Sequence, residues 1–232
     1  MHDDWEAAVN IEVNTLYHVS VTVSALLGIL LLYNWRFSRG VPAVAWWGAG
    51  MFFIAVGLAL VAARGAIHPV LSIAAANAVI LIGAALLWTG IRIFDGRKPH
   101  LIGLFGGPAI WLAACLIPAF YGSINARTIL GSAILGIYTL TAAYDLWQGR
   151  AVPLLTRWSA IGLLAFHGVL FFVRIVLVTF APLDEGLLPG ATSVWFMMLH
   201  YEVVLYEIAL AFQLFAMAKE RSGQRLVIAG MP

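Results

Sequence analysis

The sequence predicts an all-α integral membrane protein: a seven-transmembrane helix bundle with the N-terminus outside and the C-terminus in the cytoplasm. Three observations predict it. The 232 residues are 62% hydrophobic and only 10% charged, with a mean hydropathy of +0.95. Soluble domains carry about 25% charged residues, and a soluble fold of this length could not hide so much apolar surface. Seven apolar runs are long enough to span a bilayer, each needing about 20 residues. They fall at roughly 15–34, 43–63, 70–93, 101–121, 125–146, 157–181 and 194–218. Finally, Lys and Arg are distributed unequally between the two sides.

Ten cations fall on one side: Arg36, Arg39, Arg92, Arg97, Lys98, Arg150, Arg157, Lys219, Arg221 and Arg225. Only Arg64 and Arg127 fall on the other, and Arg174 lies within span six. By the positive-inside rule the ten are cytoplasmic. Asp3, Asp4, Glu6, Asp184 and Glu185 then lie outside. The opening "MHDDWEAAVN" is acidic, where a signal peptide would be basic. The expected organisation is an outer segment over 1–14, a membrane domain over 15–218 and a cytoplasmic linker over 219–232. The expected location is the bacterial inner membrane, crossed many times, with the lipid bilayer as the main partner.

The cytoplasmic turns look repeated: "NWRFSRGVP", "RIFDGRKP" and "LWQGRAVP". Gly40, Gly96 and Gly149 each follow an odd-numbered span, with a cation beside and Pro after. Gly supplies a left-handed cap and Pro stops the helix. The pattern fits three helical hairpins plus a seventh helix. Convergence on one turn chemistry explains it equally well.

Several chemistries find no support. The net charge of +2 carries no nucleic-acid signature. Cys115 is the single cysteine, so there is no disulfide framework and no cysteine metal cluster. A retinal Schiff base needs an intramembrane Lys, whereas Lys98 and Lys219 sit at the cytoplasmic edge. There is no Ser–His–Asp pattern, Walker A loop or dinucleotide fingerprint. Gly103 and Gly107 form a GxxxG helix-packing pair.

The candidate site lies on spans six and seven. A charged group at a helix centre costs about 2.5–3.5 kcal/mol, so such groups face the interior and pair. His167 and Arg174 are seven apart and share a face, as do His200 and Glu207. The two spans run antiparallel about a short loop. Equal depth then pairs Arg174 with His200, and His167 with Glu207, in layers about 10 Å apart. Glu202 points to the opposite side of span seven, together with Tyr206 and Gln213. A helix polar on two faces belongs among other helices rather than in lipid.

A register-fixing ion pair, a ligand- or proton-sensing pocket and a transport path all fit this stripe. His18, Ser20 and Thr22 on span one, Asn77 on span three, and Tyr138, Thr139 and Asp145 on span five are further candidates for the same cavity. Haem would need facing histidines, for which His18 and His200 are the best matched in depth. Zinc or copper would draw on His18, His200 and Glu202. The candidate ligand or signal residues are therefore His18, Asn77, His167, Arg174, His200, Glu202, Tyr206 and Glu207.

The tail "LAFQLFAMAKERSGQRLVIAGMP" joins a final spanning helix to a short basic segment. It resembles the junction in bacterial membrane-bound diguanylate cyclases, where a multi-helix input region leads into a GGDEF domain. "WRFSRGVPAVAWWGAGMFFIAVGLAL" and "ANAVILIGAALLWTGIRIFDGRKP" also resemble those input regions. No GGDEF motif stands in the chain, which ends where that domain would begin, as a truncated or stand-alone relative would. No catalytic residue carries over. The resemblance implies a sensory module that binds a small apolar or membrane-derived signal and relays it through span seven to cyclic di-GMP synthesis. It also implies a homodimer and a cytoplasmic output domain. The competing expectations are a small transporter, with Pro108 and Pro118 as helix breakers, and a redox or haem membrane protein.

"FQLFAMAKER" lacks Gly and Pro, so span seven should stay helical from Phe212 to about Arg221 and break near Gly223. Leu214, Met217 and Arg221 have the spacing of a face for a partner helix.

Overall fold

A computed structural model describes residues 2–37, 41–184 and 193–229, with side chains over 15–37, 41–184 and 193–224. Helix α1 is His2–Phe37 and α2 is Ala43–Ala62. A π-helical turn, Val70–Ala75, leads into α3, Ala76–Phe94. Then come α4, Leu101–Cys115; α5, Pro118–Gly122; α6, Ile124–Gln148; α7, Leu155–Phe180; and α8, Val194–Ala229. The described residues form no β-strand, only an isolated bridge between Arg64 and Ile67. Six helical segments are long and apolar enough to cross a bilayer: Thr15–Phe37, Ala43–Ala62, Val70–Phe94, Ile124–Ala151, Leu155–Phe180 and Val194–Gln224.

The fourth expected span differs. Helix α4 has 15 residues, about 22 Å at 1.5 Å per residue, less than the ~30 Å hydrocarbon core. The cause is Pro118, whose ring disfavours helical backbone at the residue before it. Ile117 is accordingly extended, at φ −89° and ψ 113°, and the short α5 starts anew at the proline. The break lies near the end of the bundle. Trp111 Nε1, one turn before the end of α4, donates to Ala74 O in the π-helical turn that leads into α3 (3.2 Å). This is not the mid-depth interruption expected of a transporter.

Small residues set the helix spacing. A Cβ on Gly28 of α1 would lie 2.8 Å from Phe52 N of α2, and one on Gly50 of α2 would lie 2.8 Å from Gly83 O of α3. Such close backbone approach is the usual way helices associate in lipid, where there is no hydrophobic drive between them. The Gly103–Gly107 pair works in the same way. A side chain at Gly103 would overlap the Trp88 indole, and one at Gly107 would meet Tyr138 Oη at 2.5 Å. Tyr138 Oη donates to Gly103 O (2.6 Å) and accepts from Gly107 N (3.1 Å), which pins α4 on α6.

One end of the bundle is an ion-pair lattice. Asp95, just past α3, accepts from Arg157 of α7 at 2.8 and 2.9 Å. Arg221 of α8 lies 3.6 Å from the same carboxylate. Asp145 of α6 accepts from Trp88 Nε1 (2.7 Å), Arg92 (3.0 Å) and Arg97. Glu220 of α8 accepts from the N–H groups of Leu155 (2.7 Å) and Thr156 (3.4 Å). It thereby caps the N-terminus of α7, which has no side-chain cap of its own.

The repeated turns prove to be unlike. Gly96 is left-handed at φ +76°, as the cap chemistry requires. Gly149 has φ −76° and is needed for space, since a side chain there would overlap the Asp95 carboxylate and the Arg157 guanidinium. Gly40 lies outside the described residues.

Helix α8 corrects two expectations. It runs without a break from Val194 to Ala229, so the expected continuity from Phe212 to Arg221 is present, but Gly223 does not end it. Leu214 and Met217 are buried in the core of the chain itself, at 1% and 0% exposure. With Arg221 tied to Asp95, that face is not open to a partner helix.

Removing one member of a buried pair strands the other charge, at a cost of about 3–5 kcal/mol. Asp95→Ala is therefore expected to lower the thermal unfolding midpoint of purified protein sharply, and Asp95→Leu with Arg157→Met to recover most of the loss. If Asp95→Ala alone leaves the midpoint unchanged, the lattice does not hold these helix ends.

Candidate functional site: a central cavity

Residues of seven of the eight helices line a cavity of about 230 Å³. For scale, an engineered apolar cavity of about 150 Å³ admits benzene. Its wall on α3 runs from Asn77 to Ile91, about 21 Å at 1.5 Å per residue. A volume this small over that length makes it long and narrow. Most of the lining is aliphatic or aromatic, including Met51, Ile80, Leu87, Trp88 and Leu164.

Helix α8 gives the cavity much of its polar wall. His200 Nε2 lies 3.0 Å from Ser20 Oγ of α1. Ser20 Oγ also donates to Leu16 O (2.9 Å), so it accepts from a protonated Nε2. One layer deeper, Ser24 Oγ donates to Glu207 Oε2 (2.5 Å). His200 and Glu207 thus share a face of α8, and that face looks at α1. Tyr17 packs edge-on against the His200 ring, with centroids 4.8 Å apart.

The opposite face of α8 meets α7. His167 Nδ1 lies 3.0 Å from both oxygens of Glu202, so an Nδ1–H donates to that carboxylate. The ring also stacks on Tyr206, with centroids 3.5 Å apart and planes at 11°. Ser159 and Gln213 bond further along the same seam (2.9 Å). The expected His167–Glu207 layer is therefore replaced by His167–Glu202. Equal depth does bring His167 beside α8 at Tyr206, but depth does not set the angle about the helix axis, and Glu207 is turned toward α1. A third face of α8, with Met198, Tyr201, Leu205 and Phe212, is exposed, so the helix is not enclosed on all sides.

Arg174 of α7 lies within electrostatic reach of Glu202 and His200, yet no ion pair within 4 Å joins it to Glu202. Its guanidinium instead sits over the rings of Phe171 and Phe196, at 5.4 and 5.5 Å. Asn77 lines the cavity while its amide donates to Ile73 O (2.8 Å). His18 is exposed on the outer side of α1. It does not converge with His200 and Glu202, which themselves face opposite ways. Among the described residues no group of three or more His, Cys, Asp or Glu could hold a metal ion.

Two cavity cations carried no functional signal in the sequence. Arg64, in the turn between α2 and the π-helical segment, lines the cavity and donates to Ser72 O (3.1 Å). Burial lowers its pKa from the ordinary value, and the like charge of Arg127 adds to this. Arg127, near the start of α6, lines the cavity and donates to Tyr121 O. With Arg174, these are the three cations that fall outside the ten expected on one side of the membrane. That exception to the charge count is the signal that could have marked them.

Comparison with family models, with curated proteins and with solved structures yields no match for this chain.

Losing a buried partner of a charged group costs about 1–3 kcal/mol. Ser24→Ala should destabilise the protein by that amount in thermal or denaturant unfolding, and adding Glu207→Leu should restore stability. Equal stability of wild type and Ser24→Ala would remove the α1–α8 contact from the account.

Proposed function

We propose that this chain is a membrane-embedded sensory module that binds a small apolar or membrane-derived ligand in its central cavity. Occupancy is passed along α8 to the cytoplasmic face. The observation that carries this reading is that one unbroken helix does both jobs. His200, Glu207, Leu210 and Leu214 of α8 line the cavity. The same rod reaches Glu220 and Arg221, which grip α7 and Asp95, about 20 Å further along at 1.5 Å per residue. A ligand can shift a conformational equilibrium only through contacts that differ between the two states, and here ligand contacts and output contacts are made by one element.

In this reading the chain crosses a bacterial inner membrane seven times, with α4 and α5 together making the fourth crossing. Helix α4 retraces α3 from Trp88 beside Gly103 to Ala74 beside Trp111, so the chain returns to the opposite end before α6 begins. The N-terminus is outside and the ion-pair lattice is cytoplasmic. The resemblance to diguanylate cyclase input regions supports cyclic di-GMP synthesis as the output, carried by a cytoplasmic GGDEF domain working as a homodimer. Because Leu214 and Met217 are buried, a second copy would meet α8 beyond Arg221 or along its exposed face.

Two measurements test this. Single cysteines at positions 4 and 222, in a Cys115→Ser background, should be labelled from opposite sides of the membrane; labelling from one side ends the seven-crossing arrangement. Hydrogen exchange at the Leu155 and Thr156 amides, which Glu220 caps, should differ between protein carrying its co-purified small molecules and protein stripped of them. Exchange that ignores occupancy would show that α8 relays nothing.

A further inference from the structure

The three cations left over from the cytoplasmic set converge on one end of the cavity. Tyr17 is within electrostatic reach of both Arg64 and Arg174, and Arg64 of Arg127. All three arginines line the cavity, where Glu207 is the only acidic residue among the described residues, bonded to Ser24. Glu202, an acid within electrostatic reach of Arg174, is engaged by His167. Arg64 Nε is buried without a hydrogen-bond partner among the described residues. Arg174 is covered by aromatic faces and makes no hydrogen bond or ion pair among them. Arginine stays charged, and its planar fork matches the oxygens of carboxylate and phosphate. Along its length of about 21 Å the cavity is narrow and mostly walled by aliphatic and aromatic side chains, with Glu207 tied to Ser24, which leaves room for one extended chain rather than two chains or a fused ring system.

The geometry points to a single-chain anionic amphiphile as the ligand, its carboxylate or phosphate head at the end marked by Arg64 and Arg174 and its alkyl chain directed toward Trp88 and Leu214. This rests on the cavity reading above and names the chemistry of what the cavity takes. The head supplies a counter-charge to Arg174, which lies within a spanning helix, where an uncompensated cation is costly, and the tail lies against aliphatic wall. Charge selects the class, while the width of the cavity limits the ligand to one chain.

The test uses the full chain in nanodiscs of zwitterionic lipid, titrated with laurate, dodecyl phosphate, dodecanol and dodecyltrimethylammonium. A ligand that binds only the native state raises the unfolding midpoint in a saturable manner, and native mass spectrometry counts what is bound. Laurate or dodecyl phosphate should bind and stabilise, and the stronger of the two identifies the head. Dodecanol and the cation should do neither. Arg64→Gln and Arg174→Gln should each weaken anion binding about tenfold or more, with Arg174→Lys retaining part of it. If Arg174→Gln does not fold, Arg64→Gln decides. The inference is overturned if dodecanol matches the anions, if no amphiphile binds, or if the Gln variants bind as tightly as the parent. Dodecanol that binds and alters exchange at Leu155 and Thr156 would sink the anion while leaving the sensor standing. Anion binding that depends on the arginines but leaves those amides unchanged would do the reverse.

Discussion

The buried carboxylate of Asp95 is the point on which the arrangement of the helices depends. It closes α3, receives Arg157 from α7, lies beside Arg221 of α8, and packs on Gly149 at the end of α6. Four helices therefore share one anion. Arg157 and Asp95 expose only 1% and 5% of their side chains, so both have given up water. A pair of this kind adds little net stability over an apolar replacement, but it is intolerant of misplacement. Helices sliding in lipid have few directional contacts to stop them. Here the contacts are concentrated at one end, and from that end the depth of every cavity residue on α3, α6, α7 and α8 is fixed.

The two ends of the bundle use charge differently. At the lattice end, Asp95 and Asp145 between them engage Arg92, Arg97, Arg157 and Arg221, and Glu220 holds backbone N–H groups. Those charges are spent on structure. At the other end, Arg64 is held by a backbone carbonyl and Arg174 by aromatic rings, partners that position a guanidinium without cancelling its charge. Charge is cancelled by acids at the first end, whereas Arg64 and Arg174 keep theirs at the second.

Much of the architecture was readable from the residues. Six spans appear close to where hydropathy put them, because a run of some 20 apolar residues has few other uses. The two polar faces of α8 follow from helical spacing alone, with His200 and Glu207 on one and Glu202, Tyr206 and Gln213 on the other. What could not be read was the partner of each face. Antiparallel depth put His167 opposite the right turn of α8, but only packing decides whether a neighbour is α7 or α1. Ser20 and Ser24 gave no sign that they receive His200 and Glu207, since an isolated serine usually bonds its own helix. Asp95 was hidden in a turn that looked like ordinary cap chemistry. Arg64 and Arg127 were hidden by the charge count itself, which sums cations without asking where they point.

The π-helical turn at Val70–Ala75 carries a consequence for how the cavity side chains are held. It leaves carbonyls of this segment free to reach sideways, Ser72 O to Arg64 and Ala74 O to Trp111. A π turn holds one residue more than the α-helical path over the same rise. Neither Ser72 nor Ala74 lines the cavity, yet one seats the Arg64 guanidinium and the other anchors the Trp111 indole. Rewinding this hexapeptide into α geometry would re-aim both carbonyls, so the lie of two cavity side chains depends on a winding defect outside the cavity wall.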